Sequence, residues 1–357
     1  MTTIERITTT MHAVPLGAGR GGSGATQVDL VLVTVEDSDG ARGLGFTFGL
    51  TGGAGAVRHL IDHDLRSVAL ASELDHWPQT WERMSARTHR LGRGHALAAI
   101  GALDIAVHDL QARRQGLPLY RFLGAYADAV EIYGSGRATH QMSDAELVEG
   151  AQAYLADGFG AIKLRAGALG LDRDVERVTA VREAVGDSVR IMVDCNERLT
   201  LPEALWFAAR MADLGVFWLE EPLRSEDVAG HRQLAATGLP IAVGEHLQGR
   251  FEFGEYLGRQ AASILQPDPP LCGGVTEWRR ISAIAETGSA VLSPHFLPEL
   301  NVHLALAVPN CPLVEHFPLI DDVLADTIAI REGRALPPDR PGHGILFDDE
   351  ALRRFRI

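Results

Sequence analysis

The sequence predicts an α/β fold: a closed barrel of parallel strands wrapped by helices, preceded by a smaller α+β layer. Three observations carry this. From Ala129 onward, eight short apolar runs alternate with amphipathic helical stretches: Val130 to Tyr133, Ala161 to Arg165, Val189 to Asp194, Val216 to Glu220, Ile241 to Glu245, Ser263 to Gln266, Ala290 to Ser293 and Leu313 to Glu315. Three successive runs close on an acid, Asp194, Glu220 and Glu245, spaced about 25 residues apart, the length of one βα unit. The first 50 residues read differently, as strands joined by turns.

The 357 residues, 46% of them hydrophobic, are ample for a barrel of roughly 250 residues plus a second small domain. The patterns divide the chain into an α+β capping domain at 1–125, a barrel at 126–319 and a segment at 320–357 that returns to the capping domain. A formal net charge of −14 argues against nucleic acid and anionic membranes as partners. Three cysteines, Cys195, Cys272 and Cys311, lack metal spacing and are odd in number, so a reducing compartment is expected. No charged-then-apolar leader and no long uncharged apolar run is found, which makes a cytoplasmic protein the expectation.

In chain order, strand-like runs at Ile4 to Val14 and Val28 to Glu36 lead through the turn Asp37-Ser-Asp-Gly-Ala to a third at Leu44 to Phe48, an antiparallel sheet. Two glycine-rich segments interrupt it, one around Arg20 and one around Gly52. Each is either a hairpin loop or a mobile loop that closes over a ligand. Neither is a phosphate cradle, because no Gly-Lys-Ser/Thr follows. The stretch from Ala96 to Leu110 is apolar on nearly every face, so it is expected as a buried helix between the two domains. His108 and Asp109 on it read as satisfied buried polar groups rather than a catalytic pair. Gly116-Leu-Pro-Leu ends that helix. Past Leu319 the pattern lapses into a Pro- and Gly-containing tail.

In a parallel barrel the strand ends share one rim, so Asp194, Glu220 and Glu245 converge there. Three close carboxylates repel one another unless a cation lies between them. Oxygen-only ligands suit a hard divalent ion, Mg²⁺ first and Mn²⁺ next, rather than zinc. Lys163 and Arg165 share the inner face of the second barrel strand. Asp268 and His295 close neighbouring strands, so the acid can fix the tautomer of the imidazole and raise its basicity.

Lys163-x-Arg165, Asp194-x-Asn196, Glu220-Glu221-Pro222, Gly244-Glu245, Gln266-Pro-Asp268 with Gly273-Gly274-Val275-Thr276, His295 and Glu315 resemble the enolase superfamily, in its mandelate racemase-like branch. The resemblance spans essentially the whole chain. It implies a modified TIM (β/α)7β barrel with an N-terminal α+β capping domain, and Mg²⁺ on Asp194, Glu220 and Glu245. It further implies Lys163 at the substrate carboxylate, Asp268 and His295 as the acid/base dyad, and Glu315 hydrogen-bonding a carboxylate oxygen as charge develops. Loops of the capping domain would close the site. The substrate would be a small carboxylic acid, and a symmetric homo-oligomer such as an octamer is implied as well. Arg20, His140 and Asn196 are the candidate substrate contacts.

One departure matters most. Relatives with two opposed bases carry a lysine where this chain has Arg165, and a guanidinium with a pKa above roughly 12 is a poor proton acceptor. His295 alone can still support β-elimination, so the first expectation is dehydration of an acid sugar to a 2-keto-3-deoxy acid, with Arg165 as a bidentate donor to a substrate oxygen or second carboxylate. A racemase, epimerase or cycloisomerase is the alternative, and it needs a further base, for which His140 and His246 are candidates. A catalytically inactive carboxylate-binding homologue is the third.

Overall fold

The computed structural model of the chain describes residues 1–17, 25–50 and 52–357. Its first 50 residues form an antiparallel sheet in the order β1 (Ile4–Pro15), β2 (Gln27–Asp37) and β3 (Arg42–Gly49). Alternation along β2 serves two interiors at once. Val31, Val33 and Val35 pack into a cluster with Ala102, Leu103 and Ala106, whereas Val28, Leu30 and Leu32 join the large cluster that includes the barrel.

The helix Gly94–Arg114 is the element between the two layers. It carries no polar stripe because nearly every face is covered. Glycines on both sides allow the approach: a Cβ on Gly45 would lie 2.0 Å from the Ala102 carbonyl oxygen, and one on Gly101 would lie 2.7 Å from that of Pro270. Asp104 ties the helix to the barrel, accepting from the Thr276 backbone N–H at 2.8 Å, its hydroxyl at 2.6 Å and the Trp77 indole at 2.8 Å. His108 and Asp109 are satisfied buried groups. The ring of His108 meets the Asp104 carbonyl at 2.8 Å, and Asp109 accepts from the backbone N–H groups of Leu44 and His343, each at 2.9 Å.

Eight parallel strands make the barrel: β4 (Val130–Gly134), β5 (Ala161–Arg165), β6 (Arg190–Asp194), β7 (Trp218–Glu220), β8 (Ile241–Val243), β9 (Ile264–Leu265), β10 (Val291–Leu292) and β11 (Leu313–His316). β11 pairs in parallel with β4, and at the seam the Leu292 N–H donates to the Asn310 carbonyl at 2.8 Å. Several strands are shorter than the apolar runs suggested. The chain leaves the ladder after Val243, so Glu245 lies just beyond the strand, and Gly244 between them passes so close to the next strand end that a Cβ would meet the Gln266 backbone at 2.5 Å. Tyr133, Ala161, Met192, Trp218, Ala242, Ile264 and Leu313 fill the barrel interior, a packed floor on which the rim groups stand.

The tail past Leu319 is more structured than its composition suggested. β12 (Ala329–Arg331) and β13 (Arg334–Leu336) form a hairpin, and β13 pairs antiparallel with the start of β4. Further on, the Leu119 N–H donates to the Gly342 carbonyl at 2.7 Å, and at the C-terminus the Ala13 N–H donates to the Phe355 carbonyl at 2.8 Å. Among the described residues no helix is long and apolar enough to cross a membrane.

Candidate active site

Strand register sets the rim. Arg165 pairs with Asp194 and Asp194 with Glu220, so three neighbouring strands present these groups at one height. One step lower, Lys163 stands level with Met192, which pairs with Trp218. Side chains two residues apart share a face, so Lys163 rises from the floor toward the acids. Its ammonium donates to Glu220 Oε1 at 2.6 Å and lies 2.9 Å from Glu315 Oε1 and 3.8 Å from Asp194 Oδ2. The Glu315 contact is a charge contact without hydrogen-bond alignment, since Oε1 has no hydrogen-bond partner. Burial disfavours the Lys163 charge, but Glu220 and Glu315 more than offset it and hold the ammonium well above its usual pKa.

Two of the three acids, Asp194 and Glu245, are linked through one amide. The Asn196 backbone N–H donates to Asp194 Oδ1 at 2.9 Å, and its side-chain amide donates to Asp194 Oδ2 at 3.1 Å and to Glu245 Oε1 at 3.3 Å. Its own oxygen accepts from Arg165 Nη1 at 2.8 Å. Asn196 adopts φ 43°, a left-handed conformation that asparagine tolerates better than most residues. Burial pushes Asp194 up, and burial together with Asp194 and Glu315 pushes Glu220 up to about 7 against the pull of Lys163. Asp194, Glu220 and Glu245 stand wider apart than the donors of an ion-holding cluster. Glu220 is drawn to Lys163 and to the Trp218 indole at 3.1 Å, and Glu245 to His295. The donor set still fits a hard divalent ion: it is all oxygen and alike in charge, and Asp194 and Glu220 are raised in pKa by burial that a cation would relieve, whereas burial of Glu245 is outweighed by His295, which holds it well below its ordinary value. Another trio, Glu197, Glu221 and His246, has ligand atoms within 4.8 Å of one another.

Asp268 follows β9 and His295 follows β10. Asp268 Oδ2 lies 3.0 Å from His295 Nδ1, while His295 Nε2 lies 2.5 Å from Glu245 Oε2. Burial disfavours imidazolium, yet Glu245 and Asp268 outweigh it and hold His295 well above its ordinary value. Glu315 Oε2 accepts from the Phe296 backbone N–H at 2.9 Å. Burial pushes Glu315 up, but Lys163 and His295 keep it below its ordinary value. In this state Glu315 is an acceptor, so donating to a substrate oxygen requires it first to take up a proton.

A cavity of about 410 Å³ opens onto these groups, lined by Phe48, Gly49 and Leu50 from the small sheet and by Asn196, Arg198, Glu245, Gln248 and His295 among others from the barrel rim. The glycine-rich segment at Gly52 therefore adjoins the site, with Gly52 and Gly53 at φ 121° and 87°. Arg20 lies outside the described residues. Arg165 and His140 are buried beside the rim. His140 is pushed down to about 4 by burial and by Arg198, Arg165 and Arg177. His246 is no free base: Glu221 Oε2 lies 2.8 Å from its Nδ1, and although burial opposes the charge, Glu221 and Glu245 raise it to about 9. Sequence reasoning missed Trp218, which holds Glu220, and Arg198 on the cavity wall. The first was available from its place two residues before Glu220 on the same strand face. The second carried no signal in spacing or motif.

Comparison with known proteins bears on the family and the fold. Residues 2–124 match the mandelate racemase/muconate lactonizing enzyme N-terminal domain, and residues 146–351 match the enolase C-terminal domain-like family. The chain is 36% identical over 99% of both sequences to 3,6-anhydro-alpha-L-galactonate cycloisomerase of Streptomyces coelicolor. A racemase from Streptomyces coelicolor with bound magnesium superimposes with a TM-score of 0.95 at 35% identity, covering 99% of this chain and 100% of that one. L-Talarate dehydratase from Polaromonas sp. JS666, complexed with Mg and L-glucarate, gives 0.93 at 32% identity, covering 100% and 98%. Two matching domain families, relatives of this identity along the full length and the rim described above lead to one conclusion: the chain belongs to the mandelate racemase/muconate lactonizing enzyme branch of the enolase superfamily.

Proposed function

We propose that this protein is a metal-dependent lyase that removes the proton α to the carboxylate of an acid sugar and expels the β-hydroxyl as water, giving a 2-keto-3-deoxy acid. The observation that carries the reading is the Asp268–His295 pair at the same rim as Lys163, Asp194, Glu220 and Glu245. Asp194, Glu220 and Glu245 would hold Mg²⁺, which supplies positive charge where the substrate carboxylate gains a second negative charge.

The chain's own groups do the rest. Asp268 fixes Nδ1 of His295 as the protonated nitrogen and leaves Nε2 for the substrate once the Glu245 contact opens. Nε2 takes the α-proton, and the C–H electron pair moves into the carboxylate to give an enediolate. That pair returns to form the Cα–Cβ double bond as the Cβ–O bond breaks. The proton on Nε2 leaves with the hydroxyl as water, and the enol tautomerises to the ketone. Lys163 places a fixed ammonium at the enediolate oxygens. Arg165 orients a substrate oxygen and does not take a proton.

A second reading is favoured by the 36% identical cycloisomerase. If the β-oxygen belongs to an internal ether, the same elimination opens the ring and no water leaves. The test is incubation of the protein with Mg²⁺ and a library of acid sugars and their anhydro forms, with detection of 2-keto acids and of deuterium at the α-carbon in D₂O. A 2-keto-3-deoxy product supports the reading. α-Proton exchange or inversion without any keto product overturns it.

A further inference from the structure

The cavity that His295 lines also carries an arginine, Arg198, on its wall. Arg198 is exposed at its mouth, and its guanidinium has no hydrogen bond or ion pair with any described residue, in a chain where 47 acidic residues outnumber 33 lysines and arginines. Unpaired surface arginines are ordinary, so Arg198 alone decides nothing. Its neighbourhood does. His140 is only 8% exposed, yet neither ring nitrogen has a partner, and the hydroxyl of Thr139 beside it is buried and unpartnered too. Arg165 gives Nη1 to Asn196. Arg177 belongs to the scaffold, bonded to the carbonyls of Thr139 and Arg165 and to Asp174. Burial first, and then the guanidiniums of Arg198, Arg165 and Arg177, push His140 down to about 4 and keep the ring neutral. Buried polar atoms without partners are uncommon, and several together near the unpaired guanidinium of Arg198 and the half-used one of Arg165 describe a place prepared for an anion.

We propose that Arg198, Arg165 and His140 form a second anion subsite that takes the far carboxylate of a dicarboxylic sugar acid. The proposal rests on the acid-sugar reading above and narrows it to diacids. Arg198 supplies the bidentate fork, Arg165 a further N–H, and neutral His140 one N–H donor. With the reacting carboxylate near Lys163 and the far one at Arg198, the chain of hydroxyls lies across the cavity and the α-proton is presented to His295.

The test compares a diacid with the monoacid of the same configuration, galactarate with galactonate being one pair, in the native protein and in Arg198→Gln and Arg198→Lys, all with Mg²⁺. The native protein is expected to favour the diacid in kcat/KM by at least about tenfold. In Arg198→Gln the diacid-to-monoacid ratio should fall by about tenfold to a hundredfold, the worth of a hydrogen-bonded charge contact, with Arg198→Lys between the two. A native preference for monoacids, or a ratio unchanged in Arg198→Gln, overturns the proposal. If acids of neither class are turned over, the reaction assignment has failed, and the subsite is judged by melting temperature. A larger shift with diacid than monoacid that disappears in Arg198→Gln supports it, and equal shifts overturn it.

Discussion

Asp268 Oδ2 lies 3.0 Å from Nδ1 of His295, joining the ends of β9 and β10 through one buried hydrogen bond. The bond settles which nitrogen faces the cavity. In Asp268→Asn the amide can accept as well as donate, so the ring loses its fixed tautomer. We expect kcat to fall by about 10² to 10⁴ with little change in KM. His295→Asn should abolish deuterium exchange at the α-carbon while Mg²⁺ binding, followed by calorimetry, persists. Persistent exchange in His295→Asn would remove the histidine from its role.

Chelation offers a second check. Removing divalent ions should abolish turnover, with Mg²⁺ and then Mn²⁺ restoring it. Saturating Mg²⁺ should raise the melting temperature, since an ion bound only by the folded state at a hundred times its Kd adds about 2.7 kcal/mol. Asp194→Asn should lose both responses. Full activity in chelator would refute the assignment of the three acids.

Arg165 stands where an amine would give a second base. Arg165→Lys should therefore slow dehydration, about tenfold to a hundredfold for the lost N–H contacts. It should also introduce α-proton exchange from the face opposite His295. Nuclear magnetic resonance of recovered substrate in D₂O reads both. Exchange confined to the original face would show that residue 165 does not reach the α-carbon.

His303 is fully buried, with Nδ1 accepting from the Tyr120 N–H at 3.3 Å and Nε2 donating to the His343 carbonyl at 2.8 Å. Burial, then His343, pushes it down to about 3. A histidine with a depressed folded pKa adds no pH dependence above its unfolded value near 6.5. Below that, the unfolded chain takes up a proton that the folded one refuses, and stability falls until about pH 3. Urea midpoints between pH 4 and 7.5 should drop more steeply for the native protein than for His303→Gln. Parallel curves would contradict this.

Gly45 and Gly55 form a matched pair. A methyl on Gly45 meets the Ala102 carbonyl at 2.0 Å, whereas one on Gly55 meets nothing within 4 Å. Gly45→Ala should cost about 3 kcal/mol or more, because backbone on both sides must move. Gly55→Ala, inside the helix Ala54–His59, should be neutral or stabilising by up to about 1 kcal/mol. Thermal melts of the two variants decide the matter.

The barrel was legible because its strands are apolar runs at a fixed interval, and the acids ending them had to share a rim once the sheet closed. Other features depend on contacts far apart in sequence. From the sequence Asn196 stood as a candidate substrate contact, and its tie to the acids shows only in the structure, where Asp194, Glu245 and Arg165 meet on its one amide. The hairpin of β12 and β13 was hidden by three-residue strands, although Glu332-Gly333, with φ 50° and 70°, is the two-residue turn such a hairpin needs. Arg198 gave no sign, since an exposed arginine gains meaning only from the buried ring of His140 on the segment that follows β4.

At its closest points the helix Gly94–Arg114 meets the small sheet and the barrel through backbone, with no side chain between them to yield. Two bodies fastened in that way cannot rotate as jaws about a hinge, for any swing would drive Gly45 or Gly101 into a carbonyl. Admission and release of ligand are thus left to the short rim segments, and cross-linking the sheet to the barrel far from the rim should leave the catalytic cycle running.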